Sequence, residues 1–242
     1  MKVYSASDIG LYRNENQDAV KCEEFEDAVF AVLCDGMGGE NSGMDASRIT
    51  VDAVFGKFVA GYKDNFDANS IRNLLLSSIS AANSIVYNTA QASFDKLGMG
   101  TTCVAAFVKS DGTAYIANVG DSRAYVADRD GITQITSDHT VVQMLYDKGE
   151  IDEERMKTHP QRNMLIKAVG VEKNVKPDYF ETELPEDSVL LLCSDGLSGY
   201  CNDEDIYAII SNCEAEDTAD KLINLALKKS GKDNITVALI VM

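Results

Sequence analysis

The sequence has no long hydrophobic run and no membrane-targeting pattern. Its longest apolar stretches, such as 189–192 and 237–241, are far shorter than the about 20 residues that a membrane-spanning helix requires. The first residues also lack the apolar stretch of a signal peptide. These absences predict a cytoplasmic protein that does not associate with a membrane.

Histidine and paired cysteine are also scarce. The chain has two histidines, and its six cysteines contain no C-x-x-C pair. This usage argues against a zinc knuckle, a disulfide framework and a histidine-rich metal centre. Several cysteines lie inside apolar runs, where a free thiol behaves as a small hydrophobic side chain.

Basic residues are too few to balance the acidic ones. Lys and Arg total 22 against 39 Asp and Glu, which gives a net charge of −17. Such a chain repels the phosphates of nucleic acid, and no basic cluster offsets that repulsion. Most of the acidic residues are expected on the solvated surface. Acids that converge on one site would need cations to neutralise them.

The three prolines are scattered, and no linker, repeat or low-complexity tract divides the chain. A length of 242 residues is enough to bury a sizeable core. We therefore predict one domain, residues 1–242.

Hydrophobic periodicity predicts an α+β protein. Helical spacing covers 43–62, 70–97, 203–211 and 215–230, and strand patterns cover 28–34, 179–184, 189–194 and 235–241. Between them, 101–108, 113–119, 123–127 and 132–135 are strand-like runs joined by turns too short for parallel crossovers, which predicts an antiparallel meander. Layered sheets covered by helices account for this order.

Three aspartates have similar local contexts. Asp35 and Asp195 each follow a predicted buried strand and precede a glycine, whereas Asp233 precedes the last strand. Hard cations such as Mg²⁺ and Mn²⁺ favour carboxylate oxygens and water as ligands. The glycine after Asp35, Gly36, allows close approach of the backbone, so its carbonyl is a further candidate ligand. Each Asp-Gly pair alone is more typical of a turn.

The segment from Arg13 to Asp18 adds a phosphate-binding candidate. The planar guanidinium of Arg13 can grip a phosphate with two parallel hydrogen bonds. Asp18 follows close behind and is a candidate for orienting metal-coordinated water or the ions themselves. In isolation, Arg13 would more often be a surface ion-pair partner.

Together these residues resemble the type 2C metal-dependent protein serine/threonine phosphatases in their compact bacterial form. The resembling motifs occur in the usual order along essentially the whole chain: R-N-E-N-Q-D at 13–18, V-L-C-D-G-M-G-G at 32–39, G-M-G-T-T at 98–102, A-N-V-G-D-S-R-A-Y at 117–125, D-H-T-V-V at 138–142, H-P-Q-R-N at 159–163, C-S-D-G-L at 193–197 and D-N-I-T at 233–236.

The resemblance implies a sandwich of two antiparallel β-sheets flanked by antiparallel helices, with the site at one end. It implies that Asp35 bridges two Mn²⁺ or Mg²⁺ ions, that the Gly36 carbonyl binds one ion, and that Asp195 and Asp233 bind the other. Asp18 would hold a metal-coordinated water or lie just outside the ligands, and Arg13 would hold the substrate phosphate. Asp121 matches a residue that binds a third, weaker ion. Residues 137–170 match a mobile flap.

The implied reaction is hydrolysis of phosphoserine and phosphothreonine esters by direct attack of a water that bridges the two ions. The general acid is left open, because Met37 and Glu40 stand where many members of the family carry a histidine. Glu40, His159 and metal-coordinated water are the candidates, although His159 also fits a loop-capping role. Lys167 and Met44 depart from the family pattern without removing a ligand.

Two alternative functions, a docking protein and a nuclease, predict different sequence features. A docking protein with this fold would usually have lost metal-binding aspartates, yet all of them are present. A nuclease would require a basic stripe, which the sequence lacks.

The expected partners are phosphorylated proteins and an opposing serine/threonine kinase, and the expected state is a monomer.

Overall fold

A computed structural model of the chain describes residues 1–38 and 42–242. Predictions that concern Gly39 and Glu40 therefore lie outside the described residues.

The described elements alternate between strands and helix pairs. The strands are β1 (Lys2–Asp8), β2 (Asp18–Glu24), β3 (Ala28–Met37), β4 (Gly100–Thr101), β5 (Cys103–Lys109), β6 (Thr113–Val119), β7 (Arg123–Asp128), β8 (Gly131–Gln134), β9 (Asp178–Glu183), β10 (Val189–Cys193) and β11 (Ile235–Val241). The helices are α1 (Ser42–Gly61), α2 (Ala68–Ala92), α3 (Val141–Asp147), α4 (Glu153–Thr158), α5 (Asp195–Ser198), α6 (Asp203–Asn212) and α7 (Ala215–Lys229), with a 3₁₀ turn at Phe94–Lys96.

The strands form two antiparallel sheets. One has the order β1-β11-β10-β7-β8, and the other has the order β2-β3-β5-β6-β9 with the short β4 paired to β3. The helices pack on the outer faces, with α1 and α2 against the second sheet and α6 and α7 against the first. This is the predicted sandwich. Among the described residues, no helix combines the length and apolarity needed to cross a membrane.

Both faces of the central strands are buried, which explains their continuous apolar runs. In β3, Val29 and Leu33 face the core between the sheets, whereas Phe30 faces the helices. The Phe30 ring stacks on Phe58 of α1, with ring centroids 4.1 Å apart. Leu190 of β10 likewise faces the inter-sheet core, while its neighbour Leu191 faces α7. The period-2 geometry of a strand thus fills two hydrophobic layers at once.

The predicted meander is wrong at its centre. β5 pairs with β6 and β7 pairs with β8, but β6 and β7 belong to different sheets. The chain crosses between the sheets at Gly120, Asp121 and Ser122. Gly120 has φ +104°, a conformation open to glycine, and a Cβ there would lie 2.6 Å from the Thr102 side chain. The short connection therefore bridges two layers instead of forming a hairpin.

The segment 137–170 contains α3 and α4, and hydrogen bonds join the two strands of chain at its base. A β-bridge joins Thr140 to Leu165, and Ile166 N–H donates to the His139 carbonyl over 2.9 Å. A second bridge joins Thr101 to Val169. Residues 141–164 therefore extend from a stem formed by residues 139–140 and 165–166.

Candidate active site

The topology brings the five predicted acidic residues to one end of the sandwich. Asp18 opens β2 and lies opposite Asp35, near the end of β3. Asp195 follows β10 and Asp233 precedes β11, where the two strands pair at Cys193 and Val237. Asp121 lies at the crossing between sheets, beside the start of β7. Electrostatic interaction of Asp35 with each of the other four confirms that they are neighbours.

The backbone of Asp35 is fixed by hydroxyl groups and neighbouring strands. Its N–H donates to Thr102 Oγ1 over 2.9 Å, and its carbonyl accepts from Thr102 N–H and from Thr101 Oγ1, each over 2.8 Å. Thr102 Oγ1 also lies 2.6 Å from Ser122 Oγ, next to Asp121. All of these bonds are to the backbone of Asp35. They fix its position in the strand and do not occupy its carboxylate oxygens.

Gly36 is required by packing. A Cβ at this position would lie 2.1 Å from the Gly43 carbonyl oxygen in the first turn of α1 and 2.6 Å from the Gln17 carbonyl oxygen. The Gly36 N–H also donates to that Gln17 carbonyl over 3.1 Å. Close approach of the helix and the 9–17 loop therefore explains this glycine, in addition to the ligand role predicted for its carbonyl.

Asn234 organises the loop that carries Arg13. Its side-chain oxygen accepts from Gln17 N–H over 2.9 Å, and its amide nitrogen donates to the carbonyls of Ile9 and Glu15 over 2.9 and 3.0 Å. Arg13 Nη2 lies 2.7 Å from Asp233 Oδ2. This hydrogen bond raises the pKa of Arg13, so the guanidinium is charged and beside the acidic cluster.

Burial of several carboxyl groups together makes their ionisation unfavourable at this end of the fold. Burial first, and then repulsion by neighbouring carboxylates, raises the pKa of Asp18 to about 7 and of Asp121 to about 8. The same causes raise the pKa of Asp195 to about 6 and that of Asp35 well above its usual range. A site with this electrostatic character favours cations, because a bound cation relieves both effects.

The described residues fit hard divalent cations. Asp18 Oδ1 is buried without a hydrogen-bond partner, which leaves a ligand oxygen available inside the cluster. Asp195 lies within hydrogen-bonding reach of Asp35. Within residues 1–38 and 42–242, no group of three or more His, Cys, Asp or Glu side chains is arranged so that these side chains alone could hold a metal ion. An open set of carboxylates suits Mg²⁺ and Mn²⁺, since such ions retain several waters.

Sequence reasoning missed several residues that support this site. Ser194 and Thr236 are fully buried and contact Asp18, although both lie inside motifs that the sequence displays. Arg123 binds Asp138 through two nitrogens, with Nη2 2.7 Å from Asp138 Oδ2, and so anchors the stem of the 137–170 segment. The sequence shows only that Ser194 and Thr236 lie within the motifs that carry Asp195 and Asp233, which does not indicate a contact with Asp18.

His159 caps its own loop. Its Nδ1 accepts from Gln161 N–H over 3.1 Å, as the loop-capping interpretation predicts. It also lines a cavity of about 830 Å³ formed by residues between Gly149 and His159. Met37 ends β3, where its terminal carbon packs near Gly100, and Glu40 lies outside the described residues.

Comparisons with known proteins agree with this geometry. A family model described as "Protein phosphatase 2C" matches residues 13–233. The serine/threonine phosphatase stp of Listeria innocua is 35% identical over 239 residues, which cover 97% of this chain and 93% of that protein.

Two solved structures superpose closely. The serine/threonine phosphatase Stp1 from Staphylococcus aureus has a TM-score of 0.92 at 39% identity, covering 100% of this chain and 94% of its own. The catalytic domain of the phosphatase PstP, in complex with two manganese ions, has a TM-score of 0.83 at 32% identity. The match covers 98% of this chain and 96% of the PstP chain.

Proposed function

The chain belongs to the protein phosphatase 2C family and is a protein serine/threonine phosphatase, and we propose that it hydrolyses phosphoserine and phosphothreonine esters by direct attack of water. The observation that carries this proposal is the cluster of buried aspartates with an unpartnered oxygen on Asp18, beside the guanidinium of Arg13. A single displacement by water requires no phosphoenzyme.

The proposed reaction divides the site residues into a phosphate-binding arginine, cation ligands and a water-orienting aspartate. Arg13 binds the phosphate oxygens and stabilises the charge that develops on them. Asp35, the Gly36 carbonyl, Asp195 and Asp233 hold two divalent cations, and Asp18 orients the attacking water from its free oxygen. Asp121 contributes to a third, weaker cation position. When bound, the cations lower the pKa of coordinated water and offset the charge of the phosphate.

Narrower proposals accompany this reaction. We propose Mn²⁺ or Mg²⁺ as the cations, because the donors are oxygens and the PstP structure holds manganese. We also propose one catalytic domain over residues 1–242, in which 137–170 is a mobile flap. The protein acts as a cytoplasmic monomer in bacterial signalling and opposes a serine/threonine kinase.

The test is release of phosphate from a phosphothreonine peptide with Mn²⁺, with Mg²⁺ and with chelator, beside the Asp195→Asn variant. We expect metal-dependent release that chelator abolishes and that Asp195→Asn lowers by at least about a hundredfold, because the variant loses a charged ligand. Ser188→Ala is the control, since Ser188 precedes β10 at the opposite end from Asp195. A folded wild-type protein that binds Mn²⁺ but releases no phosphate would refute the proposal.

A further inference from the structure

The carboxylate of Asp18 is bonded asymmetrically. Its Oδ2 accepts a hydrogen bond from Ser194 Oγ over 2.8 Å, whereas Oδ1 is buried without a partner. Ser194 and Asp18 belong to opposite sheets, because Asp18 opens β2 and Ser194 directly follows β10. The bond therefore joins the two layers at the edge of the site.

The direction of the Ser194 bond is determined by its other partner. Thr236 N–H, which can only donate, reaches Ser194 Oγ over 3.0 Å. The serine hydroxyl accepts that bond, so its own hydrogen is available for the Asp18 carboxylate. Ser194 is fully buried, which excludes solvent as a competing partner.

A second hydroxyl, that of Thr236, lies near Asp18 at the end of a chain of hydrogen bonds. Asp18 N–H donates to Asn16 Oδ1 over 3.1 Å, and Asn16 Nδ2 donates to Ser7 Oγ over 2.8 Å. Ser7 Oγ lies 2.7 Å from Thr236 Oγ1, and the Thr236 side chain is near enough to the Asp18 carboxyl group to counteract part of the rise in its pKa. Because Ser7 accepts from Asn16, its hydrogen can point to Thr236.

We propose that Ser194, itself oriented by Thr236, is a positioning residue that holds the Asp18 carboxylate by Oδ2 and leaves Oδ1 available to the cation site. The inference rests on the proposed function, since it gives Asp18 its orientation within that site. Groups that hydrogen-bond a carboxylate near a metal fix its geometry, and their loss typically costs about tenfold to a hundredfold in metal affinity or activity.

The experiment is a double-mutant cycle between Ser194→Ala and Asp18→Ala, read by calorimetric titration of the metal-free protein with Mn²⁺ and by kcat and KM on a phosphothreonine peptide. We expect Ser194→Ala to weaken Mn²⁺ binding and to lower kcat, each about tenfold or more, while KM changes less than about twofold. In the Asp18→Ala background, Ser194→Ala should have less than about a twofold effect on Mn²⁺ binding.

Thr236→Val tests the second hydroxyl without changing the side-chain shape, and Ser194→Thr should restore Mn²⁺ affinity because it keeps the donor. Ser188→Ala removes an equally buried serine, whose hydroxyl donates to the Pro185 carbonyl, and should leave Mn²⁺ binding unchanged.

Wild-type Mn²⁺ affinity in Ser194→Ala would overturn the proposal. So would an equal effect of Ser194→Ala with and without Asp18, since that would indicate a general structural role. Absence of phosphatase activity in the wild type would count against the proposed function alone, because the Mn²⁺ coupling is measured without turnover.

Discussion

At the scale of single residues, Arg13 pairs with Asp233, and the substrate phosphate of the proposed reaction would compete with Asp233 for the guanidinium. It lies 2.7 Å from Asp233 Oδ2, yet half of its side chain is exposed. An exposed ion pair contributes about 0–1 kcal/mol. Charge-assisted hydrogen bonds to a phosphate contribute about 1.5–3 kcal/mol. The phosphate should therefore displace Asp233 as the partner of Arg13.

Arg13→Ala should lower kcat/KM for a phosphothreonine peptide by about tenfold to a hundredfold, the equivalent of losing those hydrogen bonds. Arg13→Lys should fall between the wild type and Arg13→Ala, because it keeps the charge but loses the planar fork. Steady-state kinetics at saturating Mn²⁺ checks this. A Lys variant as impaired as the Ala variant would show that charge alone does not account for the effect, and an unimpaired Ala variant would remove Arg13 from phosphate binding.

The residues predicted from sequence share one feature. Asp35, Asp195 and Asp233 are recognisable because they occur beside strand ends and glycines, and Arg13 because it begins a dense polar segment. Ser194 and Thr236 carry no comparable local signal. Ser194 donates a hydrogen bond across the sandwich to Asp18, and Thr236 N–H donates to Ser194. Contacts between residues so distant in sequence cannot be inferred from the spacing within one segment.

At the scale of elements, His139 links the stem of the 137–170 segment to the crossing that carries Asp121. Gly120 N–H donates to His139 Nδ1 over 2.9 Å, and His139 N–H donates back to the Gly120 carbonyl over 3.0 Å. Because Nδ1 accepts, the neutral ring carries its hydrogen on Nε2, 3.2 Å from Asp178 Oδ2. Lys167 Nζ lies 2.9 Å from the other oxygen of Asp178. The stem thus depends on a neutral imidazole.

Burial lowers the pKa of His139, and the nearby Lys167 adds to this, although the hydrogen bond to Asp178 opposes it. A pKa depressed below the unfolded value of about 6.5 means that the unfolded chain takes up the proton first, so this contribution to stability is present above pH ~6.5 and lost as the pH falls below it. Between about pH 7 and pH 5, we expect the free energy of unfolding to fall more in the wild type than in His139→Gln.

Proton NMR checks the pKa directly, because the chain has only two histidines and His139→Gln assigns the resonance by its disappearance. A His139 midpoint at or above 6.5 would contradict the expected shift. Equal pH dependence of unfolding in the wild type and the variant would show that protonation of this ring does not affect the stem.

Element positions were predictable where periodicity was strong. The bounds of β6 and β11 match the predicted 113–119 and 235–241, because both strands are buried on both faces. β1 and β2 were missed, since as outer strands they alternate buried and exposed residues weakly. The helix predicted over 70–97 ends at Ala92, because Ser93 adopts an extended backbone before the 3₁₀ turn. Sheet membership depends on tertiary packing, so the crossing at Gly120 was not foreseen.

At the scale of the whole molecule, the net charge of −17 opposes the approach of a phosphorylated substrate. The phosphate itself adds negative charge, so Coulomb repulsion acts on encounter before any contact with Arg13. Basic residues beside the phosphorylated side chain would offset that repulsion and steer the peptide towards the acidic end of the sandwich. This steering arises from the summed charge of the protein. Salt should therefore weaken it, because charges more than about 10 Å apart are largely screened at 0.1 M ionic strength.

Two phosphothreonine peptides of equal length, one with Lys and one with Glu beside the phosphorylated residue, isolate this effect. At low ionic strength, kcat/KM should favour the Lys peptide by about tenfold or more, and the ratio should shrink several-fold on addition of ~0.3 M salt. The kcat values should stay similar, because the field acts on encounter and not on the bound phosphate. A preference that persists undiminished in high salt would instead indicate direct contacts between the peptide and the protein, and equal kcat/KM at low salt would show that the overall charge does not select substrates.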